Sequence, residues 1–265
     1  MYSPYQLAVK YLRYYVSASN GKGHGIHSPF VFDLVTAVLN DKTVYEDYKQ
    51  IELLRKKLLK DKTVLTVEDF GAGSTRGLSK QRTIQQIAAS SLKKPKYAKL
   101  LYRLVKYFQP KQILELGTSL GITTAYLASA KKDADVVTME GSIAITFTAE
   151  KNFQLLHLAN IKVITGNFDD TLQPAISQLP TVNFVFVDGN HRKEPTLNYF
   201  QQLVEKTTDS TVIVFDDIHW SSEMETAWEQ IKNSPESMLT IDLFFIGLVF
   251  FSPDFKIKQH FVIRF

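Results

Sequence analysis

The chain has 265 residues, 45% of them hydrophobic, with a formal net charge of +4 and no cysteine; this length suits one large domain or a domain with an appendage, and the composition suffices for a core. The missing cysteine excludes disulfides, thiolate zinc sites and cysteine-nucleophile catalysis. No apolar run approaches the ~18 residues of a membrane-spanning helix, and the opening MYSPYQLAVKYLRYY lacks an apolar core followed by a small-residue cleavage site, so a cytoplasmic protein is expected.

In chain order, Tyr5 to Tyr15 has the apolar spacing of an amphipathic helix. A Gly-rich loop, SNGKGHGIH, follows; its His24 and His27 are read as ordinary loop residues or as ligands for a metal or substrate. Ser28-Pro29 is a helix start, with Ser as N-cap and Pro in the first helical position, and predicts a helix to about Leu39. A second runs from Tyr45 to Lys60, where IELLRKKLLK gives one apolar and one basic face. The stretch VLTVEDFGAGSTRG, Val64 to Gly77, ends in a loop containing Gly71, Gly73, Ser74, Thr75 and Arg76. That loop is read either as a plain connection or as a lid whose Arg76 reaches an anionic group. Leu78 to Leu92 and Lys96 to Phe108 are predicted helices.

Strands and helices then alternate. Predicted strands are Ile113–Leu116, Val136–Met139, Lys162–Thr165, Asn183–Val187 and Thr211–Phe215, with helices at Ile122–Ala130, Ser142–Leu158, Thr171–Leu179, Glu194–Lys206 and Ser221–Lys232. Leu239 to Phe251 and Gln259 to Phe265 read as strands turned at Ser252-Pro253-Asp254. The fold expected is α/β: a doubly wound, mostly parallel sheet ending in an antiparallel strand pair. Residues 1–108 are expected to form a helical region on the substrate side, and residues 109–265 the ligand-binding domain.

Charge is uneven. Residues 1–100 hold 17 Lys and Arg against 8 Asp and Glu, whereas the remaining 165 hold 14 against 19. Either the basic part packs on the acidic part, or it draws an anionic substrate toward the site; nucleic acid is a third reading.

The organising stretch is Gln112 to Glu140. A short apolar strand runs into the turn Gly117-Thr118-Ser119-Leu120-Gly121, a helix follows, and a second strand ends on an acid, Glu140. This is the βαβ unit that binds an adenosine-containing cofactor: glycines admit close backbone approach, and the acid about 20 residues on accepts from ribose hydroxyls. The two glycines are spaced G-x-x-x-G, which is not the dinucleotide pattern.

Glu115-x-Gly117-x-x-x-Gly121 resembles the first motif of class I S-adenosylmethionine (SAM) methyltransferases, in the form found in small-molecule O-methyltransferases. The resemblance extends from Gln112 to about Phe251. It implies a SAM site at Glu115, Gly117, Thr118, Ser119, Gly121, Glu140, Gly141, Ser142, Asn167, Phe168 and Asp188.

Glu140, Asp188, Asp216 and Asp217 stand at strand ends, where open parallel sheets bind ligands. Their mutual repulsion asks for a cation, either SAM's sulfonium and ammonium or a divalent metal. The metal-dependent catechol-type O-methyltransferases place an Asp after the fourth strand and an Asp-Asn pair after the fifth. Asp188, Asp216 and Asp217 stand at those positions, Asp217 replacing the Asn, which implies Mg²⁺. Otherwise Asp188 contacts SAM and Asp216-Asp217 cap the turn. His191 stands where that family has its catalytic Lys, and an imidazole can take a hydroxyl's proton; the alternatives are that it orders the loop or binds SAM's carboxylate. His219 and Trp220 are candidates for the substrate wall, Arg192 and Lys193 for an acidic substrate.

The expected function is therefore SAM-dependent methylation of an oxygen on a small molecule. The rival readings are an RNA ribose methyltransferase and a nucleotide-dependent oxidoreductase. A homo-oligomer is compatible with any of these.

Overall fold

A computed structural model describes residues 1–68 and 79–265; the Gly71–Arg76 loop of the sequence analysis lies outside the described residues. In chain order the helices are α1 (Pro4–Ser17), α2 (Pro29–Leu34, continued by a π-helical turn, Val35–Leu39), α3 (Asp47–Leu58), α4 (Ile84–Ser91), α5 (Pro95–Phe108), α6 (Ile122–Ala130), α7 (Ile143–Leu155), α8 (Phe168–Gln178), α9 (Lys193–Val204) and α10 (Ser222–Asn233). The strands are β1 (Val64–Glu68), β2 (Ser79–Thr83), β3 (Gln112–Leu116), β4 (Asp135–Glu140), β5 (Ile161–Thr165), β6 (Phe184–Val187), β7 (Val212–Asp216), β8 (Leu239–Asp242), β9 (Ile246–Phe250) and β10 (Gln259–Val262). The fold is α/β and Rossmann-like, a mostly parallel sheet with helices between successive parallel strands. No helix among the described residues is long and apolar enough to cross a membrane.

The chain divides into two units. In Lys42–Ala175, β3, β4 and β5 form parallel ladders in that order, with Leu116 opposite Met139 and Glu140 opposite Thr165. α6, the helix after the glycine turn, carries no charged residue, and all nine of its residues are buried. Helices without a polar face belong inside a core, and α6 meets α3 and α5 there.

The other unit comprises Met1–Asp41 and Ile176–Phe265. Its strand order is β10-β8-β9-β7-β6. FVFV of β6 is wholly buried, as a strand covered on both faces must be. α1 opens on a capping box between Ser3 and Gln6. Its Tyr14 and its C-cap Ala18 are buried with Phe244, and the Tyr14 hydroxyl donates to the carbonyl of Ile263.

Two expectations need correction. Ser79–Thr83, predicted as the start of a helix, is a strand antiparallel to β1, and α4 begins only at Ile84, capped by Thr83 and Gln86. Ser-Lys-Gln-Arg-Thr has no apolar face for a helix to bury, and pairing with β1 satisfies its backbone instead. At the C-terminus the antiparallel pair is present, but it lies within 239–250: β8 and β9 turn at Leu243–Phe245, and β10 runs parallel to β8. The apolar Leu243-Phe244-Phe245 hides that turn, and Phe244, with φ +71, is itself buried.

Candidate active site

Within Lys42–Ala175 the turn after β3 is anchored from below. The N–H groups of Gly117 and Thr118 both donate to the carbonyl of Met139, each at 3.0 Å. Gly117 has φ +109 and Gly121 φ +80, in the region that favours glycine. A Cβ on Gly121 would stand 2.5 Å from the Phe153 ring, so this position has both conformational and steric reasons to be Gly.

Glu115 lies beneath the turn and is fully buried. Its Oε2 accepts from the hydroxyls of Thr124 and Thr138, the latter at 2.7 Å. The Thr138 proton is thereby committed, so Thr118, 2.6 Å from it, donates to Thr138. A relay of three side chains thus links the turn to the buried acid.

Glu140, the last residue of β4, is held at both oxygens. Oε2 accepts the N–H of Ser119 at 2.9 Å and Oε1 that of Ser142 at 3.1 Å. Ser142 is the N-cap of α7, yet its side chain makes no capping bond. The hydroxyl is buried and has no hydrogen-bond partner among the described residues. Gly141 lies between the two. Asn167 immediately precedes α8: its side chain accepts from the N–H of Asp169 at 3.3 Å and its carbonyl from the hydroxyl of Thr171 at 2.8 Å. Phe168 is the first residue of that helix.

In the other unit, Asp188 follows β6 and Asp216 ends β7, so both sit at the carboxyl ends of parallel strands. Asp188, His191 and Asp216 offer ligand atoms that all lie within 4.8 Å of one another. His191 Nε2 is 3.5 Å from Asp188 Oδ1, and Asp216 is buried. Asn190, with φ +64, turns the chain between Asp188 and His191, and its side-chain amide donates to the Tyr199 hydroxyl.

Asp217 is outside this group. It has φ +53, its N–H donates to Phe245 at 2.7 Å, and its carbonyl accepts from Trp220. His24 and His27 are exposed and also outside it. Arg192 is tied to Asn190 at 3.0 Å, and Lys193 pairs with Glu194 at 3.2 Å.

His219 is held between two carboxylates, Glu225 at Nδ1 (3.0 Å) and Asp242 at Nε2 (2.8 Å), and stacks on Phe244. Burial opposes its charge, but the hydrogen bonds and field of Asp242 and Glu225 outweigh that, and its pKa is raised. Glu225 in turn accepts from Tyr2 and Lys10. The backbone of Trp220 accepts the N–H of Tyr2 at 3.1 Å. Sequence reasoning missed this network, because its members come from three separated stretches of the chain.

Residues 114–218 match the methyltransferase domain family. That stretch of the chain is similar to a methyltransferase domain. It is 30% identical over 127 residues to a catechol O-methyltransferase of Niastella koreensis, covering 47% of this chain and 57% of that protein, so the match spans less than two thirds of that relative's length. A catechol O-methyltransferase of Mycobacterium tuberculosis is 28% identical over 163 residues, 59% of this chain and 68% of that one. The methyltransferase fold is shared with a Podospora anserina methyltransferase solved with S-adenosylhomocysteine (SAH), at a TM-score of 0.60, 13% identity and coverage of 85% and 97%. It is shared too with a Bacillus cereus O-methyltransferase in complex with SAH, at 0.56, 21%, and coverage of 83% and 97%.

Proposed function

We propose that this chain transfers a methyl group from SAM to an oxygen of a small-molecule acceptor. The observation that carries this reading is the hold on Glu140, whose two carboxylate oxygens are fixed by the N–H groups of Ser119 and Ser142. A carboxylate aimed in advance at the end of β4 suits the paired hydroxyls of a ribose. The buried Ser142 hydroxyl, partnerless among the described residues, fits a polar group of the same nucleoside. The names of the relatives and their bound SAH support the same cofactor.

SAM, when bound, supplies a methyl group on a sulfonium, which leaves readily. The residues of the chain bind and align. Glu140 takes the ribose. The backbone of Gly117, Thr118, Ser119 and Gly121, braced by Glu115, lies against the ligand, and Gly141, Ser142, Asn167 and Phe168 complete the nucleoside side. One proton must leave the acceptor hydroxyl. His191, beside Asp188, is the group assigned to it. Asp188 and Asp216 would hold a divalent cation, and their oxygen donors suit Mg²⁺; an ion there would lower the pKa of a bound hydroxyl. The basic excess of residues 1–100 supports an anionic acceptor, and a cytoplasmic location belongs to the same reading.

Calorimetric titration with SAH and with NAD tests the cofactor, and methyl transfer to a panel of catechols tests the acceptor class. Binding of SAH alone, with turnover that is lost in His191→Ala while SAH binding persists, is expected. Binding of NAD without SAH overturns the assignment.

A further inference from the structure

Ser119 stands in the glycine turn with φ +46, a left-handed conformation that its own sequence does not favour. Its N–H is bonded to Glu140, and its hydroxyl lies 2.7 Å from that of Ser91 at the end of α4. The direction of this second bond follows from the donor count. A serine hydroxyl has one proton. Ser91 donates its proton to the carbonyl of Ile87, 2.8 Å away, the common bond of a helical serine to the preceding turn. The proton between the two serines therefore belongs to Ser119. With that proton committed, Ser119 Oγ can meet a ligand only as an acceptor.

We infer that Ser91 is a positioning residue for the cofactor: through its hydroxyl it fixes the Ser119 side chain, so that Ser119 Oγ accepts a hydrogen bond from an N–H or O–H donor of the bound cofactor. The inference rests on the SAM reading above. SAM and SAH offer three such donors: the amino group of the amino-acid end, the ribose hydroxyls and the exocyclic amino group of the adenine. A hydroxyl aimed in advance loses no rotor freedom on binding, which is where the gain in affinity arises. The relay also joins α4, and with it the β1–β2 ribbon, to the cofactor turn within one unit.

The test is calorimetric titration of the full chain with SAH and with 5′-methylthioadenosine, which keeps the ribose but lacks the amino-acid end. Ser91→Ala and Ser119→Ala are each expected to weaken SAH binding about five- to tenfold. The double variant should be no weaker than Ser119→Ala alone, because Ser91 acts only through Ser119, and Ser91→Thr should recover most of the affinity. A loss confined to SAH places the donor on the amino group, and an equal loss for 5′-methylthioadenosine places it on the nucleoside. Wild-type affinity in Ser91→Ala, or losses that add in the double variant, overturns the inference. Failure of the wild-type chain to bind SAH overturns the methyltransferase reading and this one together.

Discussion

The carboxylate of Glu140 accepts the backbone N–H of Ser119 at 2.9 Å, across 21 residues of chain. The acid that ends β4 is therefore aimed by the turn that follows β3. Glu140→Gln keeps the size of the side chain but removes the charge and one acceptor. SAH affinity should fall about ten- to a hundredfold, the range for a lost charge-assisted hydrogen bond, with the melting temperature little changed. Retained affinity in a titration would move the ribose site away from Glu140.

The buried acid Glu115 depends on its threonines. Thr138→Val removes one of its donors and leaves Thr118 without its acceptor. A loss of about 1–3 kcal/mol in a urea titration is expected. Thr226→Val, at an exposed position where the hydroxyl bonds only within its own helix, should stay within about 0.5 kcal/mol of wild type.

Gly121→Ala and Gly25→Ala separate sterics from backbone strain. Both positions have φ +80, but a Cβ at Gly121 meets Phe153 at 2.5 and 2.8 Å, whereas at Gly25 nothing lies within 4 Å. Gly25→Ala should cost about 1 kcal/mol and Gly121→Ala about 2 kcal/mol or more. Phe153→Leu should rescue part of the second loss, which thermal denaturation of the double variant would reveal.

The His219 network sets a pH window. The pKa of His219 is raised above its ordinary 6.5, burial being outweighed by Asp242 and Glu225. Its contribution is therefore complete below about pH 6.5 and is lost as pH rises through the raised value. Asp242 and Glu225 have lowered pKa values, burial again being outweighed, for Asp242 by His219 and for Glu225 by Tyr2, Lys10 and His219. Their contribution is present above the ordinary carboxylate range and is lost as pH falls through the lowered values. His260, the other imidazole near Asp242, is shifted down by burial and by Lys232. Stability from this cluster should peak between about pH 4.5 and 6.5. His219→Gln should lose on the order of 3 kcal/mol at pH 6 and show a flatter melting curve from pH 6 to 9. An equal slope in both proteins would show that the imidazole does not set the decline.

The Rossmann-like order was legible along the chain because each βα step writes itself locally. Gln112–Leu116 is too short and too apolar to be anything but a buried strand, Gly121 marks the turn, and uncharged Ile122–Ala130 can only be a core helix. Glu140 could be named in advance because it belongs to the same βαβ unit as the glycines. Ser79–Thr83 could not, since a polar pentapeptide has no strand signal until β1 lies beside it. The turn hidden within Leu239–Phe250 escaped for the opposite reason, being as apolar as the strands it joins.

Sequence by itself determined the alternation of strands and helices from Gln112 to Asn233 and that Glu140 and Asp216 close their strands, because hydrophobic period and turn chemistry act over a few residues. Tertiary structure alone decided that His191 rather than Asp217 stands with Asp188 and Asp216, that Glu115 is braced by Thr124 and Thr138, and that Ser91 meets Ser119. Each of these depends on where a side chain points once distant segments have packed, and a hydrogen bond is lost within about an ångström of misplacement.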